Sequence, residues 1–287
     1  MSTSASSAPG STVLVTGCSS GFGLLTAVVF AERGHHVVAT MRDPDKAEPL
    51  LEAAAAAGVT VEVAILDVGS SASVERAVEA VVASTGRLDI VVNNAGIELF
   101  GAVHLVSDEE ATRQLDTNVL GIVRVARSVV PHMVRQGRGA IVNVGSVAGK
   151  VGVPYSGLYA ASKHAVEAIT EAMHFELAQL GIRVAVVEPG QFATGLSGNS
   201  VVAAAMPEDS AEYARWQAFR GRMRQLVGGE PADAQLVADV IYEAATSTEP
   251  RLRWPVGDDA ALVLDTKAAL SFEDFEAAMR TTLDWHE

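Results

Sequence analysis

Between residues 12 and 23 the chain passes from a short β-branched run straight into a glycine-punctuated loop, a combination that leaves the backbone few choices. Thr12–Thr16 reads as a strand. Thr16-Gly17-Cys18-Ser19-Ser20-Gly21-Phe22-Gly23 follows it, and residues 23–33 are apolar at helical spacing and stop at Gly34. Glycines let a backbone approach a pyrophosphate, and a helix N-terminus offers free N–H groups and the positive end of its dipole. The spacing is G-x-x-x-G-x-G rather than the commoner G-x-G-x-x-G, and a tight turn that binds nothing is the plain alternative. A strand before and a helix after favour phosphate binding, with Gly17, Ser19, Ser20, Gly21, Phe22 and Gly23 as the contacts.

The same alternation continues along the chain. Strand-like runs lie at 36–40, 59–66, 88–92, 140–144 and 182–187, several of them almost continuously Val, Ile, Leu and Ala, as parallel strands covered on both faces require. Helical patterns lie between them at 72–84, 108–136 and 156–180, and the alanine run at 53–57 reads as helix. The expected fold is α/β: a doubly wound parallel sheet of Rossmann type, one domain over residues 12–287, with residues 1–11 a disordered tail. After Gly190 the alternation breaks. Residues 194–230 read as an excursion carrying one helix near 210–226, a small helical lid over a substrate. A helix at 233–246, a short strand at 253–256 and a helical tail from Phe272 complete the pattern.

Charge narrows the function. Lys and Arg number 21 against 35 Asp and Glu, a formal net charge of −14, which phosphate backbones repel; nucleic-acid binding is not expected. Hydrophobic residues make up 49% of the 287, enough for a large core, yet no run approaches the roughly 18 consecutive apolar residues of a membrane helix. One cysteine, Cys18, excludes an intramolecular disulfide framework and fits a reducing compartment. The start lacks the basic segment and apolar core of a signal peptide, so a cytoplasmic protein is expected. The seven histidines show no ligand spacing, and no metal is expected.

An acid at the end of the second strand would hold a ribose 2′-hydroxyl and repel a 2′-phosphate. Here that stretch reads Ala39-Thr40-Met41-Arg42-Asp43. Arg42 can grip a 2′-phosphate bidentately, which favours NADP over NAD, although Asp43 follows it and NAD stays possible. Asp67, which closes the third strand beside Val68, is placed to accept from an adenine amino group. Asn94, Ala95 and Gly96 after the fourth strand suit close packing against a cofactor, or a turn that satisfies its own backbone.

Tyr159 and Lys163 lie four residues apart in a helical stretch, hence on one face. A fixed positive charge one turn away favours phenolate, so the Tyr159 pKa is expected to fall and the residue to serve as a general acid/base between hydroxyl and carbonyl. Ser146, after the fifth strand, can hydrogen-bond a substrate oxygen as charge develops on it. Asn118 is a poor helix former inside a helical pattern and needs a reason to be there. Tyr155 has no lysine four residues on and reads as a wall residue.

With these motifs in order, T-G-x-x-x-G-x-G at 16–23, N-N-A-G at 93–96, Asn118, Ser146, Y-x-x-x-K at 159–163 and Pro189-Gly190, the chain resembles the short-chain dehydrogenase/reductase family over about residues 12–195. Within it, the glycine loop and the Arg42 stretch are similar to NADP-preferring hydroxysteroid and retinol dehydrogenases. Ser20 departs from relatives that carry a basic residue there. The resemblance implies a catalytic tetrad of Asn118, Ser146, Tyr159 and Lys163. In it Lys163 also binds nicotinamide ribose and Asn118 holds a water. It also implies that Pro189, Gly190 and Thr194 flank the nicotinamide, and that Glu98, Val147, Tyr155, Gln191, Phe192 and the excursion surround the substrate. The implied activity is NADP(H)-dependent interconversion of a hydrophobic secondary alcohol and a ketone. A 3-oxoacyl-thioester reductase and a non-catalytic NADP(H)-sensing regulator are the alternatives. The resemblance further implies a homodimer or homotetramer formed through the two long helices, with Ala165, Val166, Ile169 and Met173 at the interface.

Trp216, Phe219 and Met223 share one face of the excursion helix, as a lid over an apolar substrate or as ordinary core. Arg215, Arg220, Arg222 and Arg224 on the same helix either draw in an anionic substrate or form a solvated face.

Overall fold

Seven parallel strands form the centre, in the order β3-β2-β1-β4-β6-β7-β9. The structure, a computed structural model, describes residues 10–192, 200–226, 232–249 and 251–285. The strands are β1 (Thr12–Thr16), β2 (His36–Met41), β3 (Glu62–Ile65), β4 (Ile90–Asn93), β6 (Gly139–Val144), β7 (Ile182–Pro189) and β9 (Arg253–Val256). The chain winds outward from β1 to β3, returns to β4, and winds the other way. The crevice at such a reversal, at the carboxyl ends of β1 and β4, is where doubly wound sheets bind ligands.

Alternation along each strand feeds two cores. Val13 and Val15 join one, with Phe22 and Phe30 of α1 (Gly21–Glu32) and Val237 and Ile241 of α8 (Gln235–Thr246). Leu14 joins the other, with Val74 and Val78 of α3 (Ser71–Thr85), Val125 and Met133 of α5 (Gly121–Gln136), and Met173 and Leu177 of α6 (Gly157–Ala178). Both faces of the sheet are therefore sealed, and this accounts for the nearly unbroken apolar strands. The alanine run lies in α2 (Glu48–Ala56), whose Leu50 is fully buried.

Several elements depart from the sequence reading. The pattern at 108–136 is two helices, α4 (Asp108–Leu115) and α5, joined by a π-helical turn at Asp116–Leu120. Ser107 and Glu110 close the start of α4 with a reciprocal capping box. Residues 10 and 11, read as tail, belong to the fold: Gly10 N donates to Gly34 O (2.9 Å) and Ser11 is buried. Two short strands, β5 (Glu98–Phe100) and β8 (Ser200–Val202), pair in parallel as a second sheet. Leu99, Ala203, Met206 and Trp216 form its core with α7 (Ala211–Leu226). Two further helices, α9 (Asp258–Ala269) and α10 (Phe272–Thr282), follow β9. Of the expected interface residues, Val166 and Met173 are buried within the chain itself. The apolar side chains these helices expose are Val123 and Val134 of α5 and Phe175 of α6. Among the described residues no helix is long and apolar enough to cross a membrane.

Candidate active site

The glycine loop is held in shape from below by the turn after β4. Asn94 Nδ2 donates to Thr16 O (2.9 Å) and Gly17 O (3.0 Å), while Thr16 Oγ1 accepts from the backbone of Asn94 and Ala95, both at 3.0 Å. The two segments touch so closely that side chains have no place between them. A Cβ on Gly17, whose φ is +74°, would stand 2.8 Å from Ala95 Cα. One on Gly23 would stand 2.3 Å from Gly17 O and 2.4 Å from Asn94 Nδ2. The Asn94 amide therefore clamps the loop, the turn-satisfying role its sequence left open. Cys18 is wholly buried, its Sγ donates to Val15 O (3.2 Å), and burial pushes the thiol up to about 12, so it is a packing residue and not a reactive one.

A cleft opens above the loop. It is lined by Gly17, Ser19, Ser20, Gly21, Phe22, Arg42, Asp67, Val68, Asn94, Ala95 and Gly96, all expected from the sequence, together with Met41, Leu66, Ile97 and Thr117. Asp67 Oδ1 accepts from Gly69 N (3.0 Å), which fixes the carboxylate. Arg42 is exposed at the cleft wall. Asp43, which could have opposed a phosphate there, instead accepts from Asp45 N (3.1 Å) and caps the next turn.

The catalytic candidates meet at the neighbouring strand ends. Ser146 follows β6, and its hydroxyl faces the half-buried Tyr159 phenol. Lys163, buried one turn along α6, holds its Nζ 5.6 Å from the Tyr159 ring centre and donates to Val144 O (2.7 Å). The expected fall in the Tyr159 pKa is not what this geometry produces. Burial, then the Glu98 carboxylate, push the phenol above its usual range, and only the Ser146 hydrogen bond pulls it back. Reading the pair from spacing counted one cation and left out desolvation and Glu98. Burial lowers Lys163 to about 8, against the pull of Glu98 and Glu167. Glu98 is itself raised to about 7 by burial, opposed by Arg220, Lys163 and a hydrogen bond with Ser200.

Asn118 sits in the π-helical turn, and such turns recur at functional sites. Its Oδ1 accepts from Ile97 N (2.9 Å), and its Nδ2 donates to Ile97 O (3.0 Å) and Ser162 Oγ (3.1 Å). Ser162 Oγ in turn donates to Tyr159 O (2.7 Å). Both amide N–H groups are thus committed to protein, and the side chain ties the end of the cofactor cleft to the helix of Tyr159. Gly96, whose missing Cβ would stand 3.3 Å from Asn118 Oδ1, marks that junction.

The expected substrate residues divide. Tyr155 holds an unusual φ of +63°, stacks with Phe219 and Trp285, and reaches Glu212 at 3.5 Å. Trp216 packs on Phe100 and Tyr213, and the Arg220 guanidinium lies 4.8 Å from its ring centre and 5.2 Å from that of Phe100. Val147 is half-buried in the turn after Ser146. Phe192 is placed differently: its ring packs edge-on against Phe22 (5.9 Å) with the main core, away from the Trp216 cluster. Gln191 is exposed, its backbone held by Asp259 (2.7 Å), and a Cβ on Gly190 would strike the same carboxylate at 2.2 Å. Pro189 ends β7, while Thr194 and the first part of the lid lie outside the described residues. On α7, Arg215 pairs with Glu212 and Arg222 with Asp284, so two of its four arginines are engaged in ion pairs at the surface. The aromatic role of Trp285 and the seat of Arg220 had no signal in the sequence, because they join segments far apart in it.

The short chain dehydrogenase family model matches residues 11–204. A 3-ketodihydrosphingosine reductase of Bacteroides thetaiotaomicron is 40% identical over 65% of this chain and 66% of its own length. Retinol dehydrogenase 8 of Homo sapiens is 38% identical over 84% of this chain and 80% of its own. Among solved structures, a short-chain dehydrogenase from Streptomyces avermitilis superimposes with a TM-score of 0.80 at 30% identity, covering 97% of each chain. A gluconate 5-dehydrogenase from Burkholderia cenocepacia, in complex with NADP and tartrate, gives 0.73 at 27% identity over 89% of this chain and 96% of that one.

Proposed function

The chain belongs to the short-chain dehydrogenase family and is an NAD(P)-dependent oxidoreductase, and from that premise we propose that it interconverts a hydrophobic secondary alcohol and its ketone using NADP(H). The observation that carries the reading is the Tyr159 phenol facing the Ser146 hydroxyl, with Lys163 one turn away and its Nζ 5.6 Å from the Tyr159 ring centre, at the end of a glycine-walled cleft. The cleft fits a dinucleotide: its loop excludes a Cβ at Gly17 and Gly23, leaving backbone N–H groups and the α1 N-terminus for a pyrophosphate. Arg42 is the group for a 2′-phosphate, with Asp43 turned to its own cap. Asp67 and Val68 would take the adenine side, and Pro189 and Gly190 the nicotinamide side. When bound there, a nicotinamide dinucleotide supplies or accepts the hydride.

The protein's own part is the proton. Burial and Glu98 keep the proton on Tyr159 at neutral pH, so the phenol stands ready to donate to a ketone oxygen. The Ser146 hydroxyl, which faces the phenol, holds the same oxygen as negative charge develops on it. Lys163 steadies the phenolate that remains once the proton has left. Asn118 keeps Tyr159 in register with the cleft through Ser162.

The substrate wall favours an apolar molecule. Phe100 with Trp216, and Tyr155 with Phe219 and Trp285, form two aromatic groups around β5 and α7, with Glu98 and Arg220 as their polar points. The relatives' names point to long apolar carbonyl compounds as the first to try. The fold and its exposed apolar residues Val123, Val134 and Phe175 fit a homodimer or homotetramer in the cytoplasm. Light scattering at micromolar concentration should give a mass above that of the monomer. A panel of steroid, retinoid, aryl and long-chain ketones, with a 3-oxoacyl thioester included, should consume NADPH faster than NADH on the apolar ketones. NADPH binding without turnover on any of them would return the reading to a sensor, and preference for the thioester would move it to acyl reduction.

A further inference from the structure

Behind Lys163, two glutamates are buried against each other. Glu167 lies one turn past Lys163 on α6 and is 4% exposed, and Glu188 lies at the end of β7 and is 1% exposed. Glu167 Oε2 is saturated by cations, Lys150 Nζ at 2.8 Å and Arg253 Nε at 3.0 Å. Its Oε1 and the Oε1 of Glu188 both lack a donor among the described residues. Two neighbouring buried acceptors, each without a donor among the described residues, are a costly arrangement unless a proton lies between them.

Charge counting leads to the same place. Around the pair stand three carboxyls, Glu167, Glu188 and the more exposed Glu171, and two adjoining cations, Lys150 and Arg253. Lys163 of α6 faces Glu167 from one turn back, and Asp259 at the start of α9 faces Gly190 beyond the strand end. With Lys163 and Asp259 included, three cations (Lys150, Arg253 and Lys163) face four carboxyls (Glu167, Glu171, Glu188 and Asp259), and one acid is in excess. That excess falls on Glu188, because Glu167 and Glu171 hold the cations. Burial, then the neighbouring Glu167 charge, push Glu188 up to about 7.

We propose that Glu188 and Glu167 share one proton, and that the hydrogen bond it makes is a positioning contact holding the end of β7, which leads into Pro189 and Gly190, against the helix of Tyr159 and Lys163. The inference rests on the assignment of those residues to the nicotinamide site above. Glu167 also packs under the Ser146 segment: a Cβ on Gly149 would meet Glu167 Cγ at 3.0 Å, and one on Gly145 would meet its Oε1 at 3.5 Å. One shared proton therefore joins three elements that carry the site. Loss of that proton leaves two like charges in contact and loosens the strand end from the helix.

Infrared titration of the whole protein, with and without NADP+, tests the proton without any turnover. Beside the acid band of Glu98, which burial also raises to about 7, the wild type should show a second protonated carboxylic-acid intensity at about pH 6 that disappears towards about pH 9, and Glu188→Gln should lack that second intensity. Glu188→Gln supplies an N–H in place of the proton and keeps the contact at every pH. The ratio of wild-type to variant dissociation constants for NADP+ should accordingly rise about threefold to tenfold from about pH 6 to about pH 9. No second titrating intensity in the wild type, or the same second intensity in Glu188→Gln, overturns the shared proton. A band assigned to Glu188 with a ratio that stays flat overturns the positioning role. If Glu188→Gln fails to fold, carboxyl-labelled glutamate in Glu98→Gln carries the test, through the presence or absence of a remaining glutamic acid titrating near neutrality. None of these readouts depends on which carbonyl the enzyme reduces.

Discussion

On the glycine-loop side of the site, positions are set by backbone. Thr16, Gly17, Asn94 and Ala95 lock together through main-chain groups, the Thr16 hydroxyl and the Asn94 side-chain amide, and a single added methyl at Gly23 would sit 2.3 Å from a carbonyl oxygen. On the substrate side, around β5, β8 and α7, positions are set by side chains. Aromatic rings from residues 100, 155, 216, 219 and 285 meet there with an arginine lying over two of them. A backbone-built site tolerates almost no change and suits a ligand that never varies. A side-chain-built site can be repacked one residue at a time, and that is the place for substrate choice to differ between relatives.

That contrast can be broken by substitution. The largest effect should come from Gly23→Ala, which must displace Gly17 or Asn94. Cofactor affinity should fall by about 100-fold or more, with about 1–3 kcal/mol of stability lost, read by fluorescence titration and thermal unfolding. Next, Arg42→Ala should cut the preference for NADPH over NADH by about 10- to 100-fold. That is the range expected from losing about 1.5–3 kcal/mol of charged hydrogen bonding, and it is measured as the ratio of kcat/KM values. Trp216→Ala should be smaller and confined to the other side: KM for a bulky apolar ketone rises about tenfold while NADPH affinity is unchanged. If Trp216→Ala weakened the cofactor as much as the ketone, the two halves would not be separable.

The two regions were also unequally legible. Parallel strands sealed on both faces must be apolar, and a strand-to-helix turn around a phosphate must be glycine-rich, so the sheet and the loop stand out in the chain. The small sheet did not, because β5 and β8 are three residues each and pair Glu98 with Ser200 across a long stretch of chain. The break between α4 and α5 was hidden since a π-helical turn keeps helical composition and shows itself only in the inward turn of Asn118. The roles of Tyr159 and Lys163 were visible in their spacing, but the direction of the Tyr159 shift was not. It depends on burial and on Glu98, which arrives from another strand. The family resemblance places Phe192 at the substrate, whereas its ring packs with Phe22. The pairing of Glu167 with Glu188 joins a helix to a strand and leaves no trace in spacing.

The central claim is that Tyr159 supplies the proton while the glycine-loop cleft supplies most of the grip on the cofactor. A single-turnover experiment with NADPH and a reactive apolar ketone, comparing the wild type with Tyr159→Phe, addresses both parts at once. The account predicts that the two proteins bind NADPH with the same affinity and that the variant oxidises it about 10²- to 10⁴-fold more slowly. Equal rates in the two proteins, or failure of the wild type to bind NADPH or NADH, would contradict it.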